Sequence, residues 1–162
     1  MPTETIATLY SDHHGWLQGW LRRKLGDASQ AADLAHDTYV RLLQSRRGAA
    51  IGEQPRAFLT HIAKGLLVDH WRRQDVERAY LDTIALLPEA VAPSPETRLL
   101  VLETLLRIDA MLASLPAQTR TIFLMAQLDE LSYQDIAERQ RTSLATVKRH
   151  MRKAFLACLA AA

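Results

Sequence analysis

A chain of 162 residues supplies one domain of ordinary size or two small ones, and 48% hydrophobic against 23% charged residues is a composition that buries a core. Six glycines and six prolines argue against a loop-rich β fold or a glycine-rich phosphate cradle, and the single cysteine, Cys158, excludes an internal disulfide and any cysteine-built zinc site. The net charge of +2 hides an asymmetry: Arg139, Arg141, Lys148, Arg149, Arg152 and Lys153 meet no acid in the last 24 residues, whereas residues 1–138 hold 14 basic and 18 acidic groups, a net of −4.

The opening MPTETIATLY has neither the basic nor the apolar stretch of a signal peptide, and no apolar run approaches the roughly 20 residues that cross a bilayer; the chain reads as cytoplasmic. Periodicity is helical throughout, with no strand-like alternation, so the expected fold class is all-α. A first helix is expected from about Thr5 to Leu25, with Ile6, Leu9, Trp16, Leu17, Trp20 and Leu21 as its apolar stripe and Gly26-Asp27 as its stop. Asp27 is a candidate N-cap for a second helix, with Gln30 at its third position, turning Ala31, Leu34, Ala35, Thr38 and Leu42 inward and ending near Arg47-Gly48. Gly48 to Gln54 reads as a loop, and Pro55 suits the first turn of a long third helix running to about Leu81. ALLPEAVAPSP, from Ala85 to Pro95, carries three prolines in eleven residues and reads as a linker. Ser94 then caps a fourth helix that ends near Leu115-Pro116, and a fifth spans about Ala117 to Leu128. The expected organisation is two small helical domains, residues 5–84 and 96–160, joined by residues 85–95.

The last segment, LSYQDIAERQRTSLATVKRHMRKAFLACL, holds two further helices. Ser132 with Asp135 three residues later is a capping-box variant, and Ser143 caps the next helix after an interruption at Arg141-Thr142. Two helices joined by so short a turn make a helix-turn-helix, with Ile136, Ala137, Leu144 and Val147 spaced to form the shared apolar wedge. On a wheel with Val147 at zero, Leu144, Met151, Ala154, Phe155 and Cys158 fall between about −20° and 80°. Lys148, Arg152, Arg149 and Lys153 fall between about 100° and 240°, with Ala145 and Thr146 among them. Slim residues at the N-terminal end and cations placed for phosphates or guanines are what a helix entering a DNA major groove needs. A merely solvated face would mix charge signs, and a membrane-surface helix would have no use for the capped helix and turn before it.

Asp33 and Asp37 stand at i and i+4 on one face of the second helix. Paired carboxylates can serve acid–base chemistry or a metal, but their surroundings supply no further ligands, so a protein-docking face is the stronger reading. The third helix carries Lys64, His70, Arg72, Arg73 and Arg78 around Trp71, a pattern suited to a nucleic-acid backbone and an unstacked base; Trp71 is equally suited to a core.

HHGWLQGWLRRKL (His13 to Leu25), DLAHDTYVRLL (Asp33 to Leu43), AFLTHIAKGLLVDHWRR (Ala57 to Arg73), APSPE (Ala92 to Glu96) and SYQDIAERQRTSLATVKRH, in this order and spacing, resemble the extracytoplasmic-function sigma factors, most of all their iron-uptake subgroup. The resemblance implies a two-domain initiation factor that binds core RNA polymerase and directs it to promoters. It implies that the second helix, through Asp33, Leu34, Asp37, Tyr39, Val40 and Arg41, docks on the clamp helices of the polymerase β′ subunit, with the β flap as a further contact. Arg46, Arg47, Lys64, His70, Arg72 and Arg73 would hold the single-stranded −10 element, a flipped base resting against the loop before the third helix. Arg141, Ser143, Ala145, Thr146, Lys148, Arg149, Arg152 and Lys153 would read the −35 element as duplex. A membrane-bound anti-sigma regulator is the further partner that the subgroup implies.

Two positions depart from the family pattern. The turn of the helix-turn-helix usually carries an apolar residue and then Gly, where this chain has Gln140 and Arg141, so either the turn is rearranged or Arg141 is placed to touch phosphate. Gly65 stands where the family often has Asn. The adjacent His13 and His14 point about 100° apart and cannot share an ion, Gly15 and Gly19 suit close helix approach, and Cys158 reads as a buried small hydrophobe. No motif proposes an enzyme, a cofactor, a metal or a small-molecule substrate. The competing readings are a free-standing helix-turn-helix regulator and, further off, a helical-bundle enzyme using Asp33 and Asp37.

Overall fold

The computed structural model describes residues 6–45 and 54–162. Its elements are α1 (Ile6–Leu25), α2 (Ala28–Gln44), α3 (Pro55–Ala85), a single 3-10 turn at Glu89–Val91, α4 (Pro95–Ser114), α5 (Ala117–Gln127), α6 (Tyr133–Arg139) and α7 (Leu144–Ala161), and no strand occurs among the described residues. The chain divides into two compact units, Met1–Asp75 and Val76–Ala162, and the division falls within the span of α3.

Local chemistry accounts for most of the helix ends. Gly26 terminates α1 with φ +72°, a conformation that glycine adopts without a Cβ penalty, and its N–H returns to the Arg22 carbonyl at 2.8 Å. Asp27 caps α2 by accepting from the Gln30 N–H at 2.8 Å. Ser94, Ser132 and Ser143 cap α4, α6 and α7 in the same way, each accepting from the N–H three residues on. Residues 46–53, which include the expected end of the second helix at Arg47-Gly48, lie outside the described residues. α3 runs four residues beyond the expected Leu81, because nothing in Asp82-Thr83-Ile84-Ala85 stops it before Pro88 biases its predecessor away from helix. At 1.5 Å per residue its 31 residues span about 46 Å.

In the first unit, α1 and α2 pack as a helical hairpin and α3 closes their core. Leu9, Leu17 and Leu21 of α1 meet Ala31, Leu34, Ala35, Tyr39 and Leu42 of α2 and Leu59, Ala63 and Leu67 of α3. Thr38 is also buried, satisfied by donating its hydroxyl to the Leu34 carbonyl at 2.7 Å. Arg56 lies 5.0 Å over the Trp16 ring and ties the start of α3 to α1. The G-x-x-x-G pair does not serve close packing: a Cβ at Gly15 would meet nothing within 4 Å, and one at Gly19 only the Arg23 guanidinium at 3.9 Å. In the second unit, α4, α5 and α6 all pack on α7. Its core is Ile122 of α5, Ile136 and Ala137 of α6, and Val147 and Met151 of α7.

Candidate nucleic-acid interface

The turn between α6 and α7 is built by Arg141 at φ +51°, in the left-handed region where the family pattern carries Gly. Its N–H reaches the Glu138 carbonyl at 3.2 Å and the Thr142 N–H reaches the Ala137 carbonyl at 2.9 Å, a Schellman arrangement that satisfies the last carbonyls of α6. The turn therefore keeps its usual geometry, and an exposed guanidinium is held at its tip. Ser143 opens α7 directly afterwards, its hydroxyl also 2.9 Å from that of Thr146.

α7 buries Val147, Met151 and Ala154 and exposes Lys148, Arg149, Arg152 and Lys153. Ala145 is exposed beside them and Thr146 half-buried, so the face is slim at its N-terminal end and cationic beyond it. Three side chains of the expected apolar arc lie elsewhere. Leu144 is 37% exposed, because it stands in the first turn before α7 reaches the wedge. Phe155 is exposed as well, meeting Phe123 edge-on at 6.0 Å and sharing an open groove with Tyr133 at the start of α6. Cys158 is half-buried and lines a cavity of about 260 Å³ with Arg107, Ile108 and Met111 of α4.

Several contacts at this site were invisible to periodicity. Arg120 of α5 donates from Nε to the Leu112 carbonyl at 2.7 Å and from Nη2 to those of Leu115 and Ala113 at 3.0 and 3.3 Å, gathering the end of α4. Thr119 Oγ1 lies 2.8 Å from Nδ1 of His150, joining α5 to α7. Leu156 and Leu159, the latter 74% exposed, line an apolar groove of about 340 Å³ with Tyr133, Met151 and Phe155, and Lys148 and Arg152 stand at its side. The heptad-like spacing of Leu156 and Leu159 with Arg152 was the available signal for that groove.

On the first unit, α3 brings together fewer residues than the sequence groups. With Lys64 at zero, Val68 and Trp71 share its face within about 40°, whereas Arg72 stands near 80°, Arg73 opposite at about 180° and His70 near −120°, beside Ala63 and Leu67; Arg78 lies past the unit division at Asp75. Trp71 is 42% exposed, which removes its reading as a core residue. His70 is turned to the packed side, with its Nε2 buried and without a hydrogen-bond partner. Arg72 is engaged with Asp69 at 3.2 Å. Arg46 and Arg47 lie outside the described residues. Beside this face, a cleft of about 370 Å³ is lined by Arg41, Ser45, Phe58, His61, Gly65 and Asp69.

On α2, Asp33, Asp37 and Arg41 are exposed and Val40 half-buried. Leu34 and Tyr39 are not part of that surface: both are buried in the core of the hairpin, where they shape the exposed face from beneath. Among the described residues no group of three His, Cys, Asp or Glu side chains gathers as a metal site, with Asp33 and Asp37 or elsewhere. Nor is any helix among them long and apolar enough to cross a membrane.

Comparison with known proteins agrees with this layout in order and extent. The model of Sigma-70 region 2 matches residues 9–77, and that of Sigma-70, region 4 matches residues 105–158. The ferric citrate uptake sigma factor FecI of Escherichia coli (strain K12) is 47% identical over 155 residues, 96% of this chain and 89% of that protein. The ECF RNA polymerase sigma factor SigW of Bacillus subtilis (strain 168) is 28% identical, with 78% of this chain and 72% of that one covered. The RNA polymerase sigma factor YlaC of the same organism is 27% identical over 94% of this chain and 89% of its own length.

Proposed function

This chain belongs to the sigma-70 family, as an extracytoplasmic-function sigma factor that binds core RNA polymerase and directs promoter-specific initiation, and from that premise we propose how its residues divide the work. α7 reads the −35 element as duplex DNA: Arg141, Ser143, Ala145 and Thr146 approach at its N-terminal end, and Lys148, Arg149, Arg152 and Lys153 supply guanine and phosphate contacts. The observation that carries this assignment is the exposure of all four of those α7 cations over a buried Val147–Met151–Ala154 seam, with no acid from residue 139 onward. The single-stranded −10 element runs along Lys64, Val68 and Trp71 of α3, where an exposed indole can stack a base, with Arg72 and Arg73 at the flanks. The cleft between α2 and α3 has room for an extruded base. Asp33, Asp37 and Arg41 dock on the β′ clamp helices, and the apolar groove of Leu156 and Leu159 suits a helix of the β flap.

The domains we propose are residues 5–84 and 96–160 about a linker at 85–95, limits that keep α3 with the first domain although the compact units divide within it. The genes served are those of iron or siderophore uptake, supported by 47% identity to a ferric citrate uptake sigma factor. A membrane-bound anti-sigma regulator and cell-surface signalling complete this reading, in which the chain works in the cytoplasm and adds specificity rather than a catalytic centre. A free-standing helix-turn-helix regulator is not favoured, because both sigma-70 regions match in sequence order.

Two substitutions test the division. Arg149→Ala should cut initiation from a promoter with an intact −35 element about tenfold while core polymerase still co-purifies in full yield. Asp37→Lys should reduce co-purification instead. Exchange of the two phenotypes would overturn the assignment. Transcription in vitro should favour iron-uptake promoters over an unrelated control template.

A further inference from the structure

A helix that reads DNA must present its cations at one rotational setting. The buried seam of α7 is narrow: a valine, a flexible methionine and an alanine methyl. Apolar contact of this kind is non-directional and resists separation more than rotation. A turn of about 20° carries a guanidinium roughly 8 Å from the helix axis by about 3 Å, the full length of a hydrogen bond. A directional contact is needed to hold the angle.

The second unit contains one. Thr119, in the first turn of α5, is fully buried, and its Oγ1 lies 2.8 Å from Nδ1 of His150, 31 residues away on α7. His150 is the immediate neighbour of Arg149 and is half-buried at the flank of the seam. Water cannot reach Thr119 to replace this partner, so rotating α7 off its setting strips a buried hydroxyl.

We infer that the Thr119–His150 hydrogen bond fixes the rotation of α7 and thereby sets how selectively this sigma factor reads the −35 element. The inference rests on the assignment of α7 to that element. Thr119 and His150 are positioning residues, acting through Arg149 and the other cations of α7.

The test uses the full chain assembled with core polymerase, on a promoter that the wild type transcribes and on the same template with its −35 element scrambled. Thr119→Val keeps the side-chain shape and removes the hydroxyl, His150→Leu removes the ring nitrogens, and His150→Asn returns a polar atom near the place of Nδ1. Thr119→Val and His150→Leu should each lower the matched-to-scrambled ratio of transcripts by about threefold to tenfold. The double variant should lose no more than either single one, as a shared interaction requires. His150→Asn should restore the ratio, and co-purification with core polymerase should stay at the wild-type yield in every case. Equal loss on both templates, additive losses in the double variant, or an unmoved ratio overturns the inference. Should Thr119→Val fail to fold, His150→Leu against His150→Asn, at a half-buried position, carries the comparison alone. Arg149→Ala separates the two levels of argument: an unchanged ratio there defeats the −35 assignment itself, whereas a collapsed ratio there with an unmoved Thr119→Val defeats only the positioning role.

Discussion

The hydroxyl of Tyr39 is buried with no hydrogen-bond partner, on a side chain only 4% exposed, and its ring meets that of Tyr10 edge-on at 4.9 Å. Burial, and secondarily the Tyr10 phenol, push its pKa up from 10.0 to about 12. A folded-state pKa above the unfolded one means that the neutral phenol is favoured by folding. The contribution is whole below pH 10 and is lost as pH rises toward about 12. Tyr39→Phe removes the unpaired oxygen and keeps the ring, so urea melts at pH 7 should show the first unit more stable by about 1 kcal/mol. The same melts repeated toward pH 12 should lose less stability than the wild type. Co-purification with core polymerase should not change, since Tyr39 works from beneath the exposed face. Sequence could not separate Tyr39 from Asp37: both fall in one short helical motif, and only the packing of α2 on α1 decides that one is inside.

Helix caps were legible because their chemistry is local. Asp27, Ser94, Ser132 and Ser143 each act on a backbone N–H three residues away, and the residue types name themselves. Arg120, five to eight residues from the carbonyls it holds, and His150, 31 residues from Thr119, depend on how helices are stacked, which no single-helix period encodes. The apolar arc of α7 misled at Leu144 and Phe155 for a related reason: a wheel treats the whole arc as covered, while the buried seam holds only Val147, Met151 and Ala154. Arg120→Met should therefore destabilise the second unit by roughly 1–3 kcal/mol, seen as a lower urea midpoint with the helical signal otherwise intact. At the turn, a non-glycine residue in the left-handed region costs on the order of 1 kcal/mol. Arg141→Gly should raise thermal stability by up to about that amount while weakening binding to a −35-dependent promoter, the loss being largest at low salt and narrowing as salt is raised. Gain in both properties would show that Arg141 makes no phosphate contact.

At the scale of the whole chain, each unit is built around buried residues of its own. Leu42 belongs to the cluster shared by α1, α2 and α3, and Ile136 to the one shared by α5, α6 and α7; both are fully buried, and neither cluster draws on residues of the other. The assigned contacts follow the same division, with the exposed carboxylates of α2 and the indole of Trp71 in one unit and the cations of α7 and the groove of Leu156 and Leu159 in the other. An adaptor with this arrangement can lose one surface through damage to one core while the other core stands. Leu42→Ala and Ile136→Ala each leave a cavity worth about 2–5 kcal/mol. Calorimetry of the wild type should resolve two transitions, one lowered by Leu42→Ala and the other by Ile136→Ala, with additive effects in the double variant. Near the lowered midpoint, Leu42→Ala should shed core polymerase while any transcription that remains keeps its dependence on the −35 element. Ile136→Ala should do the opposite, keeping the α2 contact with the polymerase while initiating without regard to that element. One cooperative transition, moved by both substitutions, would contradict the separation of tasks, since loss of either core would then unmake both surfaces together.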